Sequence, residues 1–284
     1  MKKLRVLNLG AGVQSTMLYL LACQKHSAIG HIDFAIFADV GDEPLAVYKH
    51  LAWLKSLDGP EILVRSKGSL GDAIIYGDSK YNKEGKKRFV SIPAFTSLGA
   101  MGRRQCTYEF KINVIRKTIR KELLGLKPYQ NFPQKEWQID QLLGLSLDEL
   151  KRVERVQKRF LKTKWTKPFF PLVELNATRT NCKNWLTNEV PHKVPRSSCV
   201  FCPFHSKKEW AEVAAVPEDL ARAIEVDEGL RSIENQKLRK VNELQFVHRK
   251  RKPLKDIDLT LYPETLEMGF LKFCEKKWSL NKGE

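Results

Sequence analysis

Arg5-Val6-Leu7-Asn8-Leu9-Gly10-Ala11-Gly12-Val13-Gln14-Ser15-Thr16 runs straight into Met17-Leu18-Tyr19-Leu20-Leu21. A buried strand, a two-glycine turn and the start of an apolar helix follow one another without a spacer. Gly10 and Gly12 let the backbone approach a ligand with no Cβ in the way. The helix start offers unpaired N–H groups and a positive dipole end, which is what a phosphate needs. Ser15 and Thr16 add hydroxyls at the same spot, and Ala11, Val13 and Gln14 complete the loop. An ordinary strand-to-helix turn would account for these residues equally well, so the segment needs support from the rest of the chain.

The alternation continues downstream. Ser15 to about Lys25 reads as a helix, and Phe34-Ala35-Ile36-Phe37-Ala38 as a strand buried on both faces. Pro44 to Leu57 follows as a helix with proline in its first turn, and Glu61 to Val64 as a third strand. The βαβαβ order predicts an α/β fold with a doubly wound, Rossmann-like parallel sheet and ligands beyond the strands' C-terminal ends. Ser66 to Gly102 is rich in Gly, Lys and Ser, carries a charged patch from Lys83 to Arg88, and reads as a mobile loop or lid. A helix from about Phe110 to Leu124 should turn Ile112, Ile115, Ile119 and Leu123 inward and Arg116, Lys117, Arg120 and Lys121 outward. Trp137 to Leu145 reads as a core strand, Leu147 to Leu161 as a very basic helix, and the remainder as short helices and proline-bounded loops. Trp137, Trp165, Trp185 and Trp210 read as packing residues.

Charge is placed unevenly. Residues 103–167 hold 17 of the 50 Lys and Arg but only 7 of the 33 Asp and Glu, so this stretch carries over half of the net +17. Such concentration marks a polyanion-binding face, with counterion release driving association; a solvated helix face is the plainer reading. No stretch has the length of a transmembrane helix, and the opening Met1-Lys2-Lys3 leads into a strand too short for a signal peptide. A cytoplasmic protein without membrane partners is expected. Six cysteines in 284 residues suit ligands, redox groups or core positions better than a disulfide scaffold.

Asp39 ends the second strand, where a carboxylate reaches a nucleotide's sugar or base, or a magnesium ion on its phosphates. Asp42 is the better candidate for capping the next helix. Cys199-Val200-Phe201-Cys202 is a CxxC that allows zinc, an iron–sulfur cluster or a dithiol. Cys106 and Cys182 stand in polar contexts, Cys23 in an apolar helix, and Cys274 in the tail stays ambiguous. Cys106, Cys199 and Cys202, with or without Cys182, form the natural metal assembly, with His205 as an alternative zinc ligand. The run His248 to Leu254 is charged enough for phosphate contact, or for a solvated tail.

The glycine loop with Gln14, the Asp39-Val40-Gly41 turn and Cys106-Thr107-Tyr108-Glu109-Phe110-Lys111 together resemble the phosphoadenosine phosphosulfate reductase branch of the PP-loop ATP pyrophosphatases. Gly144-Leu145-Ser146-Leu147-Asp148-Glu149-Leu150-Lys151-Arg152 resembles that superfamily's Gly-Ile-x-x-Asp-Glu-x-x-Arg segment. Pro171-Leu172-Val173-Glu174 is similar to its Pro-Leu-x-Glu, and Ser198-Cys199 to Trp210 to a Ser-x-Cys-x-x-Cys-Pro-Phe segment of its phage and defence-island relatives. The resemblance covers about residues 4 to 210. It implies an adenine nucleotide α-hydrolase fold binding ATP and Mg2+, in which Gly10 to Thr16 hold the phosphates and Asp39 and Gly41 face the nucleotide. Ser15, Lys111, Asp148, Glu149 and Arg152 would do the catalytic work. Gln14 replaces the superfamily's usual Asp, a change shared with the reductase branch. Residues 1–165 would be the nucleotide-binding domain with its lid at about 66–102, and 166–284 a helical, cysteine-containing substrate or partner region.

The resemblance implies an ATP pyrophosphatase that adenylates nucleic acid, DNA backbone in preference to tRNA, for sulfur insertion as in DNA phosphorothioation. A [4Fe–4S] cluster on Cys106, Cys182, Cys199 and Cys202, or zinc instead, and a cysteine desulfurase as sulfur donor would serve that reaction; a homodimer is compatible with it. A sulfonucleotide reductase is the first alternative, but Phe273-Cys274-Glu275-Lys276-Lys277 lacks the glycine and histidine of that family's Glu-Cys-Gly-x-His tail. A non-catalytic nucleic-acid-binding protein with a structural zinc on Cys199, Cys202 and His205 is the second. It leaves the glycine loop, Asp39 and the Asp148-Glu149 pair unexplained.

Overall fold

The computed structural model describes residues 1–77, 88–163, 165–239 and 241–260. Its strands are β1 (Lys2–Leu9), β2 (Phe34–Asp39), β3 (Glu61–Ser66), β4 (Phe95–Thr96), β5 (Trp137–Leu143), β6 (Thr166–Phe169) and β7 (Gln245–Phe246). The helices are α1 (Val13–Cys23), α2 (Leu45–Lys55), α3 (Leu70–Ile75), α4 (Asn113–Lys117), α5 (Leu150–Leu161), α6 (Pro171–Glu174), α7 (Arg179–Glu189), α8 (Lys207–Ala214), α9 (Pro217–Arg231) and α10 (Ile233–Arg239). Contacts divide the chain into a first unit, residues 1–92 with 103–199, and a second, residues 93–102 with the described residues from 200 on. Among the described residues no helix is long and apolar enough to cross a membrane.

The first unit is built on a five-stranded sheet of order β3-β2-β1-β5-β6, parallel throughout, flanked by helices. This is the doubly wound α/β arrangement expected from the strand–helix alternation. Side-chain alternation splits its core in two. Leu7, Leu9, Ala35, Phe37 and Leu142 pack with α1, α2 and α7 on one face. Leu4, Val6, Ile36, Ala38 and Ile139 pack with Val114, Ile115 and Ile119 on the other. The strand order reverses between β1 and β5, so the crevice for a ligand lies beyond their C-terminal ends, where β1 runs into Gly10 and β5 into Gly144.

Three local expectations change. The segment from Ser66 to Gly102, read as a loop, contains α3 and the buried Val90, Ile92 and Ala94; its residues 78–87, with most of the charged patch, lie outside the described ones. Asp42 does not cap α2, whose N-cap is Pro44. Its Oδ2 accepts from Gly71 N at 2.8 Å and Ser69 Oγ at 3.0 Å, tying down the start of α3 instead. In the long helix, wide π turns at Thr107–Ile112 and Thr118–Leu123 flank α4. Extra residues per turn shift the apolar face off a 3.6 period, so Phe110 and Val114 join Ile115 and Ile119 inside, while Ile112 and Leu123 are only half-buried.

The second unit is mainly α8, α9 and α10 with the antiparallel pair β4–β7. Trp210, Ala223, Val226, Leu230 and Val247 are among its buried residues. Its centre is Asp227, fully buried, whose oxygens accept from Val247 N at 2.9 Å and Leu254 N at 2.8 Å and pair with Arg231 at 2.7 Å. His248 is buried against Trp210, and Leu254 is buried too. The basic run from 248 is therefore a turn closing on a core residue, with only Arg249 to Lys252 exposed.

Candidate functional site

The glycine loop is organised by Ser15. Its Oγ accepts from Gly10 N and Gly12 N, both at 3.2 Å, and donates to Gly12 O at 3.1 Å. Ala11 between the glycines sits at φ 53°, the left-handed region that costs an alanine roughly 1–2 kcal/mol. Strain of this kind persists where surrounding structure imposes it, often at ligand clamps. The N–H groups of Val13, Gln14 and Ser15 open α1 and have no intrahelical partner. A Cβ on Gly12 would meet Ser197 N at 3.5 Å, ordinary contact, so the fold itself does not require glycine there. Gly144 is different: a Cβ would come within 2.9 Å of Ser15 N. The chain leaving β5 thus presses its backbone against the loop leaving β1.

That approach brings together residues far apart in the chain. Gln14 Nε2 donates to Glu149 Oε2 at 2.8 Å and Ser146 Oγ at 3.2 Å, and Arg152 donates to Glu149 Oε1 at 2.7 Å. The residue at position 14 has a physical reason to be an amide. An aspartate would set two carboxylates against each other, whereas Gln14 supplies the donor that Glu149 accepts. Asp148, expected beside Glu149, is largely in solvent. The Ser146 hydroxyl, and then Arg179 N–H at 3.1 Å, hold its carboxyl below the usual range. It serves the first turn of α7.

On the opposite wall, sequence reasoning finds Lys111 and Asp39 but misses Glu43 and Ser197. Glu43 is buried and accepts from Lys111 Nζ at 2.7 Å and Ser197 Oγ at 3.2 Å. Ser197 stands over Gly12, so these contacts connect Lys111 to the glycine loop. Burial disfavours the Lys111 ammonium, but Glu43, then Cys199 and Cys106, outweigh it and hold the pKa above the ordinary lysine value. A carboxylate directly before a helix, as in Glu43-Pro44, reads by sequence as a partner for the helix dipole, which hides this role. Asp39 is half-buried, and its Oδ1 accepts from Gly41 N at 2.8 Å and Tyr48 OH at 2.9 Å. Gly41 itself has φ 74°, and a Cβ would lie 2.9 Å from Ser69 Cα, so the turn demands glycine. Burial, and then Asp39, push the Tyr48 phenol up.

Behind the loop, Thr16 Oγ1 meets His50 Nε2 at 2.9 Å, and His50 Nδ1 meets His192 Nε2 at 2.8 Å. His50 is fully buried; desolvation, and then His192, lower its pKa to about 4.

The cysteines divide. Cys106 and Cys199 both act electrostatically on Lys111. Cys182 lies in the core of the first unit with Leu186, facing Asp148 and Arg179, and burial pushes its thiol up to about 11. Cys202 belongs to the second unit, and Cys274 lies outside the described residues. None of the described cysteines is disulfide-bonded. Among the described residues no group of three or more His, Cys, Asp or Glu is arranged to hold a metal ion. A [4Fe–4S] cluster takes four thiolates, and of the four cysteines named for it Cys106, Cys182 and Cys199 lie in the first unit and Cys202 in the second.

Comparisons with protein-family models, with curated proteins and with solved structures return no match.

Proposed function

We propose that this chain binds ATP with Mg2+ at the glycine loop and transfers its adenylyl group to an oxygen of nucleic acid, with DNA preferred over tRNA, releasing pyrophosphate. The observation that carries this reading is the loop itself: strained at Ala11, tied together by the Ser15 hydroxyl, and placed where the sheet order reverses. Val13, Gln14 and Ser15 N–H groups and the α1 dipole would hold the triphosphate. Lys111, kept charged by Glu43, would stabilise negative charge developing on the pyrophosphate. Mg2+, which leans on substrate phosphates more than on a protein cage, would neutralise the same charge. Glu149, braced by Gln14 and Arg152, holds the loop from the β5 side.

The nucleic-acid half of the reading rests on charge. In α5 only Val153 is buried, while Lys151, Arg155, Lys158 and Arg159 are exposed on a helix that begins beside Gln14 and Glu149. In sulfur insertion the persulfide sulfur of a cysteine desulfurase, brought to the sulfide level by a thiol reductant, would displace the adenylated oxygen, which leaves as part of AMP. The test is pyrophosphate release from ATP, with and without DNA or tRNA. Release stimulated by DNA, and abolished in Gly12→Ala while the melting midpoint holds, is the expected result. No release under any of these conditions overturns the proposal.

A further inference from the structure

The long helix that carries Lys111 on its first turn borders two cavities on its outer side, both within the first unit. The larger, about 690 Å³, is lined by Arg65, Lys67, Arg88, Lys117 and Lys121 against two carboxylates, Glu109 and Glu122. Both carboxylates are already paired, Glu109 with Arg88 and Lys67, Glu122 with Arg65. Lys117 and Lys121 have no carboxylate partner among the described residues. The smaller cavity, about 310 Å³, shares Tyr108, Asn113, Lys117 and Lys121 with the first and adds Arg116, Arg120 and Lys127, with no acidic residue in its lining. The two cavities therefore adjoin along a shared basic wall, and together they form a basic groove.

Two tyrosines stand in it. Tyr108 is about half exposed and Tyr129 wholly so. Tyr129 follows Pro128 in a turn closed by Gln130 N donating to Lys127 O at 3.2 Å, and its φ is 64°. Proline second and a left-handed third residue make a type II turn, where glycine or asparagine is the favoured third residue. A tyrosine there costs backbone strain and buries nothing, so the fold gains nothing from the ring. Its cost is repaid only by a partner.

We propose that this groove binds single-stranded DNA, with Lys117, Lys121 and their basic neighbours on the phosphates and Tyr108 and Tyr129 stacking on unpaired bases. Charge complementarity selects a polyanion. Exposed ring faces select a strand whose bases are not already stacked in a duplex. The identity of the polyanion rests on the nucleic-acid half of the function proposed above; the binding itself needs no ATP. The groove is lined by Glu109, two residues before Lys111, and by Ser66, whose Oγ donates to Asp39 O at 2.9 Å.

The experiment is fluorescence anisotropy of a labelled single-stranded DNA, its duplex and the RNA of the same sequence, with the full chain and no nucleotide, across a salt titration. The single strand is expected to bind more tightly than the duplex and than the RNA. Tyr129→Gly should weaken it roughly five- to a hundredfold while leaving the melting midpoint equal or higher, because glycine relieves the strained turn. Tyr129→Phe should bind like the parent. Removing both Lys117 and Lys121 as alanines should reduce the slope of log K against log salt by about 1.4, or ~0.7 per lost phosphate contact. Duplex or RNA binding as tightly as the single strand, or unchanged affinity in Tyr129→Gly, overturns the proposal. Absence of pyrophosphate release would remove the ATP reading and leave these binding results standing.

Discussion

Two buried carboxylates, one in each unit, are treated in opposite ways. Asp227 in the second unit is saturated: two backbone N–H groups and Arg231 satisfy it, and it joins α9 to the chain around β7. Glu43 in the first unit holds the Lys111 side chain, a third of whose surface stays exposed, and a serine that stands over the glycine loop. The first arrangement is closed by its own backbone, and the second holds a cation a third of whose surface stays exposed. Saturation marks a structural staple; a partly open cation beside strained backbone marks a site.

The largest effect that would sharpen this contrast is at the staple. Asp227→Ala leaves a buried guanidinium and two N–H groups unpaired and should cost about 3–5 kcal/mol. Urea unfolding followed by hydrogen exchange should show protection lost first in residues 200–260; equal loss throughout the sheet would break the distinction between the two carboxylates. Next comes Gly144→Ala, whose methyl would press on Ser15 N at 2.9 Å and should cost roughly 1–3 kcal/mol together with ATP affinity. Gly12→Ala is its counterpart. Stability should stay within about 0.5 kcal/mol, since Ser197 lies at ordinary contact from the added methyl, yet calorimetry should find ATP binding weakened tenfold or more, because the methyl crowds backbone that would approach the phosphates.

A smaller, graded effect concerns pH. His50 in the first unit and His248 in the second both titrate near pH 4, chiefly through burial, against an ordinary value of 6.5. Below 6.5 the unfolded chain takes up protons that the folded chain refuses, so stability should fall as pH drops from 6.5 towards 4 and stay level above. His50→Gln should remove part of that dependence and leave the share belonging to His248. A pH profile of urea midpoints unchanged by the substitution would show that the Thr16–His50–His192 chain is not what sets it.

Much of the architecture was legible because its signals are local. Apolar runs bounded by glycine and acidic turns predicted β1, β2 and β3, and helical spacing predicted α1 and α2. The tryptophans read as packing residues do pack: Trp165 and Trp210 are buried, and Trp137 and Trp185 lie against the first unit's clusters. The π turns were invisible, because the side chains inside them look like those of any amphipathic helix. Glu43 was invisible for another reason: its partner lies 68 residues away.

The amino-acid order by itself determined a parallel α/β sheet with a glycine loop at the end of its first strand, since strand period, turn chemistry and helix starts act over a few residues. Only the tertiary structure decided that Gln14 would meet Glu149, 135 residues on, and that Lys111 would lean on Glu43. It also decided that Asp148 would serve α7. Those pairings depend on β5 lying beside β1 and on how closely Gly144 lets the two loops approach, and neither is encoded in any single stretch of chain.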